Sequence, residues 1–456
     1  MSLRIGTGIG IGFGSAGQWS SYWAGRDISF SMSAAGFSLM VGQSLTIYGD
    51  SLIDVPLGNP LTVTYTCDIG SQTGNNYTID PVVGDIGNHN LRIIFMNGSY
   101  TIADETIVIS IAAEKTDGSM RVLRLGDSTM AGEEIGLILT NSLNGIQFTW
   151  IGTNGTTYLN EGDPGITIWE FATQSRSPFI FSGVMNIPKY FTDNSLRLPD
   201  IVYMRIGIND IANSGITVAN AMGYLKTLVD AFLALNNFVK VLIALPNTST
   251  SNLTKWQSNY PGTTPDAFNT KMHQFWVSVV STYANGTYNA RVDCSYEALS
   301  IDRDASMSNA VHPANDGYTE LGNALIPYVN KNVLLGDELM PAISVWAAAD
   351  FAWWTAHIDV CFTANGTQLI CDGTGYLFRN AGLFTGGKTY RVEIEVVDYE
   401  RGYAYFYNGN NYTGADPLIG NGKHIVNYVA DITAGPLLGS FNWKGKIKDI
   451  SFREVL

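Results

Sequence analysis

Four short polar pieces carry the residue types from which an acyl-transfer site is assembled. The first is Leu125-Gly126-Asp127-Ser128, where the apolar run RVLRL ends at a Gly that permits a tight turn. A serine between a strand and a helix start is exposed, and the helix N-terminus lends N–H groups and positive dipole to an oxyanion. The second is Gly162-Asp163-Pro164-Gly165-Ile166-Thr167, a turn whose Gly165 N–H is a further donor. The third is Gly207-Ile208-Asn209-Asp210, directly after IVYMRI, which sets a carboxamide at another strand end. Loss of one such donor typically lowers turnover by about 10²–10³. The fourth is Val311-His312-Pro313, ahead of a helical stretch. A histidine there takes the serine proton as general base and returns it to the leaving alcohol. Taken singly, each piece also reads as an ordinary turn or a structural side chain.

Two features narrow the choice. Gly49-Asp50-Ser51-Leu52 repeats the serine motif, but Asp54-Val55-Pro56-Leu57-Gly58-Asn59-Pro60 follows it, a poor helix start. Ser51 is therefore expected on a loop of a β-domain, and Ser128 is the nucleophile candidate. Of the five histidines (His89, His273, His312, His357, His424), His273 falls inside a helical pattern, and only His312 sits on a loop with this kind of flank.

The elements that must position these residues follow from hydrophobic periodicity. Residues 27–115 alternate apolar and polar in short runs such as LTVTYTC and ETIVISIAA, separated by Gly/Asn turns. That spacing predicts a β-sandwich of immunoglobulin-like type. Residues 116–337 alternate strands with long helical patterns, ANAMGYLKTLVDAFLAL and TPDAFNTKMHQFWVSVVSTYA among them. This predicts a three-layer, flavodoxin-like α/β domain with a parallel sheet, whose ligands bind at the strands' carboxyl ends. Residues 338–456 return to β patterning and are read as a jelly-roll sandwich. Residues 1–26 form a Gly-rich arm expected to order against a partner.

Composition limits the partners. Charged residues make up 14%, against roughly 25% in a usual soluble protein, and the net charge is −14. No Lys/Arg run is present, which argues against nucleic acid. No apolar stretch reaches the ~20 residues needed for a membrane span. The N-terminus lacks the continuous apolar core of a signal peptide. Cys67, Cys294, Cys361 and Cys371 contain no CxxC pair, so neither a metal nor a redox cofactor is expected. Cys361 and Cys371 are placed to face each other on neighbouring strands, although buried free thiols are the more frequent outcome.

The order Ser128, Gly165, Asn209, His312 resembles the blocks of the SGNH (GDSL-like) hydrolase family, over roughly residues 118–335. WIGT after the first helix, the EGxxGxT context of Gly165 and HPxxxGY after the base match as well. The resemblance implies Ser128 as nucleophile and His312 as base, with an oxyanion hole from the Ser128 and Gly165 N–H groups and the Asn209 side chain. It needs no cofactor. The family's acid three positions before the histidine is here Asn309. An Asn can bond the imidazole but brings no charge, and the corresponding Asp→Asn change in serine proteases lowers turnover about 10⁴-fold. Asp302, Asp304 or a backbone carbonyl are the other candidates for that place.

The three-module layout resembles phage tail-associated and gut-bacterial glycan-active proteins. It implies an esterase removing acyl groups, O-acetyl foremost, from a carbohydrate or surface polysaccharide. Virion proteins met through residues 1–26, and further copies of the chain, are the other expected partners; the expected location is a virion or the extracellular space. The second reading is a virion receptor-binding protein whose SGNH domain binds glycan without cleaving it. Trp346, Trp353, Trp354, Tyr390, Tyr403, Tyr405, Tyr407 and Tyr412 are candidates for stacking on sugar rings, or for core packing.

Overall fold

The computed structural model describes residues 37–52, 61–212, 215–333, 335–338, 354–357, 362–364, 369–379, 386–408, 411–412, 418–430 and 436–455. The arm 1–26, Trp346, Trp353 and Cys361 lie outside the described residues, as do the side chains of Trp354, Tyr407 and Tyr412. The described residues fall into two compact units, one containing 37–116 and 120–332, the other 117–119 and those from 333 onward.

The first unit opens with seven strands: β1 (Phe37–Met40), β2 (Leu45–Tyr48), β3 (Thr62–Thr66), β4 (Ser71–Thr73), β5 (Asn76–Ile79), β6 (Gly87–Asn97) and β7 (Tyr100–Ala112). They form one sheet in the order β1-β7-β6-β3 and another in the order β2-β5-β4. Pairing is antiparallel except between β1 and β7. In β3 only Val63 and Tyr65 are buried, and Leu91, Ile93 and Phe95 of β6 bury the matching face. A period of two with one apolar face is what a half-buried sheet requires.

The same unit contains the α/β sheet: β8 (Gly118–Gly126), β9 (Ile146–Ile151), β10 (Glu161–Gly162), β13 (Ile201–Arg205), β14 (Lys240–Ala244) and β15 (Val292–Ser295). A small hairpin, β11 (Ile180–Phe181) and β12 (Val184–Met185), lies between β10 and β13 in sequence. The order is β15-β14-β13-β8, with β9 and β10 also paired to β8. Leu125 and Gly126 are bridged on both edges, to Glu161 and Gly162 and to Met204 and Arg205, all in parallel. The strand order therefore reverses between β8 and β13, and the crevice of such a sheet opens at their carboxyl ends. Gly126 and Gly207 stand at those two ends.

The helices are α1 (Gly49–Leu52), α2 (Glu134–Ser142), α3 (Ile168–Thr173), α4 (Ile187–Asp193), α5 (Ile208–Ala212), α6 (Val218–Leu233), α7 (Leu253–Asn259), α8 (Asp266–Tyr283) and α9 (Asn315–Asn332). Helix α2 packs on α9, while α6 packs on α3 and α8. Every residue of β8 and β13 is buried, as strands covered on both faces must be. The first seven strands share this core. The Phe37 and Tyr296 rings meet tilted, centroids 5.7 Å apart, and the Asn330 carboxamide accepts from Lys115 N (2.9 Å) and donates to Ala113 O (2.9 Å).

Two local expectations are corrected. Residues 49–52 form a helical turn rather than a loop, with Ser51 buried and its hydroxyl donating to Ile301 O (3.2 Å). The turn is wedged in place: a Cβ at Gly49 would lie 2.8 Å from Val63 Cγ2. Nor does a regular helix begin at Ser128. A single turn closes there, with Met130 N and Ala131 N donating to Asp127 O (3.0 and 3.1 Å), and α2 starts only at Glu134.

The second unit is antiparallel. Its strands are β16 (Leu335–Glu338), β17 (Trp354–His357), β18 (Phe362–Ala364), β19 (Leu369–Arg379), β20 (Thr389–Asn408), β21 (Asn411–Tyr412), β22 (Gly422–Val429) and β23 (Pro436–Val455). β23 pairs with β16, β19 and β20, and β20 also with β21 and β22. Register shifts near Glu395, Val397 and Arg401 break the β20–β23 ladder, the usual device for bending long strands. Tyr390 and Trp443 are core, and Cys371 is buried with its sulfur 3.5 Å from Ser440 Oγ.

Glycine substitutions test this packing. A Cβ at Gly126 would overlap the Arg205 carbonyl and lie 2.7 Å from Met130 Cβ, whereas exposed Gly223 of α6 has open space around it. Gly126→Ala is expected to destabilise the protein by about 1–3 kcal/mol through overpacking. Gly223→Ala is expected to stabilise it by roughly 0.4–1 kcal/mol through helix propensity and unfolded-state entropy. Urea denaturation of the two variants beside wild type checks both signs.

Candidate active site

The site is assembled at the reversal point of the parallel sheet. Beyond Gly126, the Asp127 carboxylate accepts from Thr129 N (3.0 Å) and Thr129 Oγ1 (2.8 Å), which closes the turn and presents Ser128. Ser128 Oγ lies 2.7 Å from His312 Nε2, and both residues are partly exposed. The distance is that of a hydrogen bond, and a hydroxyl so paired with an imidazole has the geometry that nucleophilic catalysis requires.

His312 is held by a tight loop. Ala314 N donates to Ser306 O (2.8 Å), and Ser308 donates to His312 O through N (2.9 Å) and Oγ (3.0 Å). Asn309 Oδ1 accepts from Val311 N (3.1 Å) and His312 N (3.0 Å) and lies 3.1 Å from His312 Nδ1. The two backbone donors need an oxygen there, so the carboxamide cannot be turned over. The imidazole must then carry its proton on Nδ1, which leaves the Nε2 lone pair facing Ser128 Oγ. Asn309, rather than Asp302 or Asp304, faces the ring. The Asp302 carboxylate instead accepts from Asp304 N and Ala305 N (2.9 Å each).

The two further donor candidates come to the same strand ends. Gly165 is exposed at φ +81°, a conformation that favours glycine. Its loop is tied to the serine turn by Asp163 N→Gly126 O (3.0 Å). Asn209 lies in α5 rather than on an open loop and donates one Nδ2 proton to Ile166 O (2.9 Å), leaving a second amide proton for a ligand. Gly207 precedes it at φ +133°, with Phe275 where a Cβ would go.

Beneath the site lies a buried polar system that the motifs do not reveal. Arg205, the last residue of β13, is fully buried; its Nη2 donates to Asn247 Oδ1 (2.9 Å) and its Nη1 is 3.7 Å from Glu297 Oε2. Glu297 also accepts from Tyr203 OH and Ser295 Oγ (2.5 Å each). Burial pushes the Glu297 carboxyl up, and the Arg205 guanidinium opposes that rise. Asn247 Nδ2 donates to Val311 O (2.9 Å), one residue before His312. Asp127 and Asp210 are buried behind the serine and the asparagine, each with one oxygen lacking a hydrogen-bond partner among the described residues. Burial raises Asp127 as well and pushes Asp210 up to about 6, although Asp210 Oδ2 accepts from Ile168 N (2.8 Å). An Arg at a strand's last position was the available signal for this system, because a charge ending an otherwise apolar run needs a buried partner. His273 is half-buried in α8 against Trp276, and desolvation holds it down to about 3.

Among the described residues no cluster of three His, Cys, Asp or Glu is arranged to hold a metal, and no helix is long and apolar enough to cross a membrane.

No family model and no curated protein matches the chain. Solved structures similar to it include a carbohydrate esterase family 3 protein from Talaromyces cellulolyticus, at 18% identity and TM-score 0.33, over 47% of this chain and 98% of that one. A GDSL-like lipase from Bacteroides thetaiotaomicron matches at 15% identity and TM-score 0.31, over 47% and 89%. A family two carbohydrate esterase from Clostridium thermocellum matches at 14% and 0.29, over 65% and 93%. With TM-scores this low, the chemistry rests on the side-chain geometry alone.

Two outcomes follow from the buried charges. Arg205→Met leaves Glu297 buried without its cation and is expected to destabilise the fold by about 3–5 kcal/mol in chemical denaturation. For Asp210, a raised folded-state value means that stability is full below about pH 4 and falls as pH rises through about 6. Asp210→Asn is therefore expected to gain about 3 kcal/mol over wild type at pH 8 that it does not show at pH 4.

Proposed function

We propose that residues 118–335 are an SGNH-type ester hydrolase domain working through an acyl-enzyme on Ser128. The observation that carries this reading is the 2.7 Å approach of Ser128 Oγ to His312 Nε2, with the opposite ring nitrogen held on Asn309 Oδ1. His312 removes the serine proton as Oγ attacks the ester carbonyl. The tetrahedral oxyanion is held by the N–H groups of Ser128 and Gly165 and by the free Asn209 amide proton. The proton then passes to the leaving alcohol, and water cleaves the acyl-enzyme with His312 again as base.

Asn309 sets the catalytic level. The loss of about 10⁴ in a serine protease with Asn for Asp arises from the wrong imidazole tautomer. Here the two backbone donors on Oδ1 enforce the productive tautomer. What is missing is only the negative charge that would stabilise the imidazolium.

The substrate we assign is an acylated, O-acetyl foremost, carbohydrate or surface polysaccharide. We read the first two sheets as an immunoglobulin-like sandwich, because seven strands in a four-plus-three division match that arrangement. We read the second unit as a jelly-roll carbohydrate-binding module. Tyr403 is exposed and packs edge-on to Tyr405 at 5.0 Å, which supports a sugar-stacking face. A receptor-binding virion protein with little turnover is the second reading, favoured by the uncharged partner of His312.

Hydrolysis of p-nitrophenyl acetate and of acetylated polysaccharide tests the assignment. Ser128→Ala is expected to lower turnover at least 10³-fold; equal rates in both proteins remove Ser128 as nucleophile. Asn309→Asp is expected to raise kcat about 10-fold and to move the acidic limb of the pH–rate profile to higher pH, since a carboxylate favours the charged imidazole. Asn309→Leu, which releases the tautomer, is expected to lower kcat by roughly 10²–10³. Binding of the polysaccharide with no Ser128-dependent turnover establishes the receptor reading instead.

A further inference from the structure

The serine motif at residues 49–52 has no part in the chemistry above, yet it reaches the neighbourhood of His312. The turn α1 lies at the end of β2 in the sandwich, and Ser51 Oγ donates to Ile301 O (3.2 Å). The Asp50 carbonyl accepts from Arg303 Nη1 (2.7 Å). Nearby, Tyr48 OH donates to Glu320 Oε1 (3.2 Å), and Glu320 Oε2 accepts from Asp302 N (2.9 Å). The sandwich thus grips residues 301–303, which lead directly into the histidine loop.

Arg303 is 5% exposed, and it carries that grip onward. Its Nε donates to Ser249 O (2.8 Å), and its carbonyl accepts from Thr250 Oγ1 (2.9 Å) and Ser251 N (3.0 Å). The segment so held fastens the histidine loop: Thr250 N donates to Ala310 O (2.9 Å) and Asn247 Nδ2 to Val311 O (2.9 Å). From the 49–52 turn, directed hydrogen bonds run through Arg303 and Thr250 to Ala310, two residues before His312, and the same 247–250 segment holds Val311 through Asn247. This matters because residues 301–314 contain no helix longer than a turn to stiffen them.

We propose that the sandwich is part of the frame of the active site, with its 49–52 turn latching the His312 loop through Arg303, a positioning residue. This rests on the ester-hydrolase reading. A one-ångström displacement of a reacting group is sufficient to lower turnover by about 10². The latch accounts for a guanidinium here, because Arg holds two directed N–H groups in a fixed fork where an ammonium offers one point of attachment.

The test uses the full chain with Arg303→Met, Arg303→Lys and Ser51→Ala, each assayed on p-nitrophenyl acetate well below its melting temperature. The expected result is a fall in kcat at unchanged KM, about 10- to 100-fold for Arg303→Met and about 3- to 10-fold for Ser51→Ala, with Arg303→Lys between Arg303→Met and wild type. Ser51→Ala, the mildest change, keeps the test open if Arg303→Met fails to fold. Folded variants that melt lower but keep kcat within twofold of wild type overturn the proposal. Ring-¹⁵N histidine NMR separates this from failure of the ester-hydrolase reading. If the wild type has no Ser128-dependent turnover, the His312 ring resonances are still expected to shift and broaden in Ser51→Ala. Unchanged resonances overturn the latch on that evidence alone.

Discussion

One oxygen atom decides what this site can do. Asn309 Oδ1 meets three nitrogens, two from the backbone and one from the imidazole of His312. Because peptide N–H groups only donate, the amide has a single allowed orientation, and the orientation of the amide dictates the tautomer of the ring. The Ser128–His312 hydrogen bond is a consequence of that constraint. A carboxylate would impose the same geometry and add charge, so this arrangement separates two roles usually merged in one residue: orienting the imidazole and stabilising its protonated form.

Buried charges lie deeper in the fold, beneath the Ser128–His312 pair. Arg205, Glu297, Asp127 and Asp210 are buried around the carboxyl ends of β8, β13 and β15. Desolvating such groups is unfavourable, and Arg205 offsets part of it by facing Glu297 and Asn247 together. The arrangement joins side chains at or just beyond the ends of three strands, and through Asn247 it delivers a side-chain amide to the Val311 carbonyl beside His312.

Much of the site was legible in residue order. Strands ending in Gly126 and Gly207 were visible because apolar runs stop at residues suited to tight approach, and the loop at His312 because Pro313 and Asn315 punctuate it. Helix content in 218–233 and 266–283 followed from periodicity. What stayed hidden depends on contacts between distant segments. The Arg205 system joins residues from three strand ends with no common spacing. Ser128 was expected at a helix start, but the tight Asp127 turn comes first because the Thr129 hydroxyl and amide hold its carboxylate. Ser51 was expected on a loop, since nothing in its flanks reports that Ile301 waits 250 positions later to accept its proton. Local sequence describes the turn; tertiary packing determines what it touches.

The shared core of the amino-terminal β-sheets and the α/β sheet bears on how such a chain can be inherited. Phe37 beside Tyr296, and Asn330 bridging Ala113 and Lys115, make the boundary near residue 115 a seam of matched side chains instead of a flexible junction. Gene fusion exchanges modules freely only where linkers isolate them. Here a swap of the amino-terminal β-domain alone would leave aromatic rings and amides without their counterparts. The two are expected to travel through recombination as a single cassette, with substitutions on one side of the seam compensated on the other.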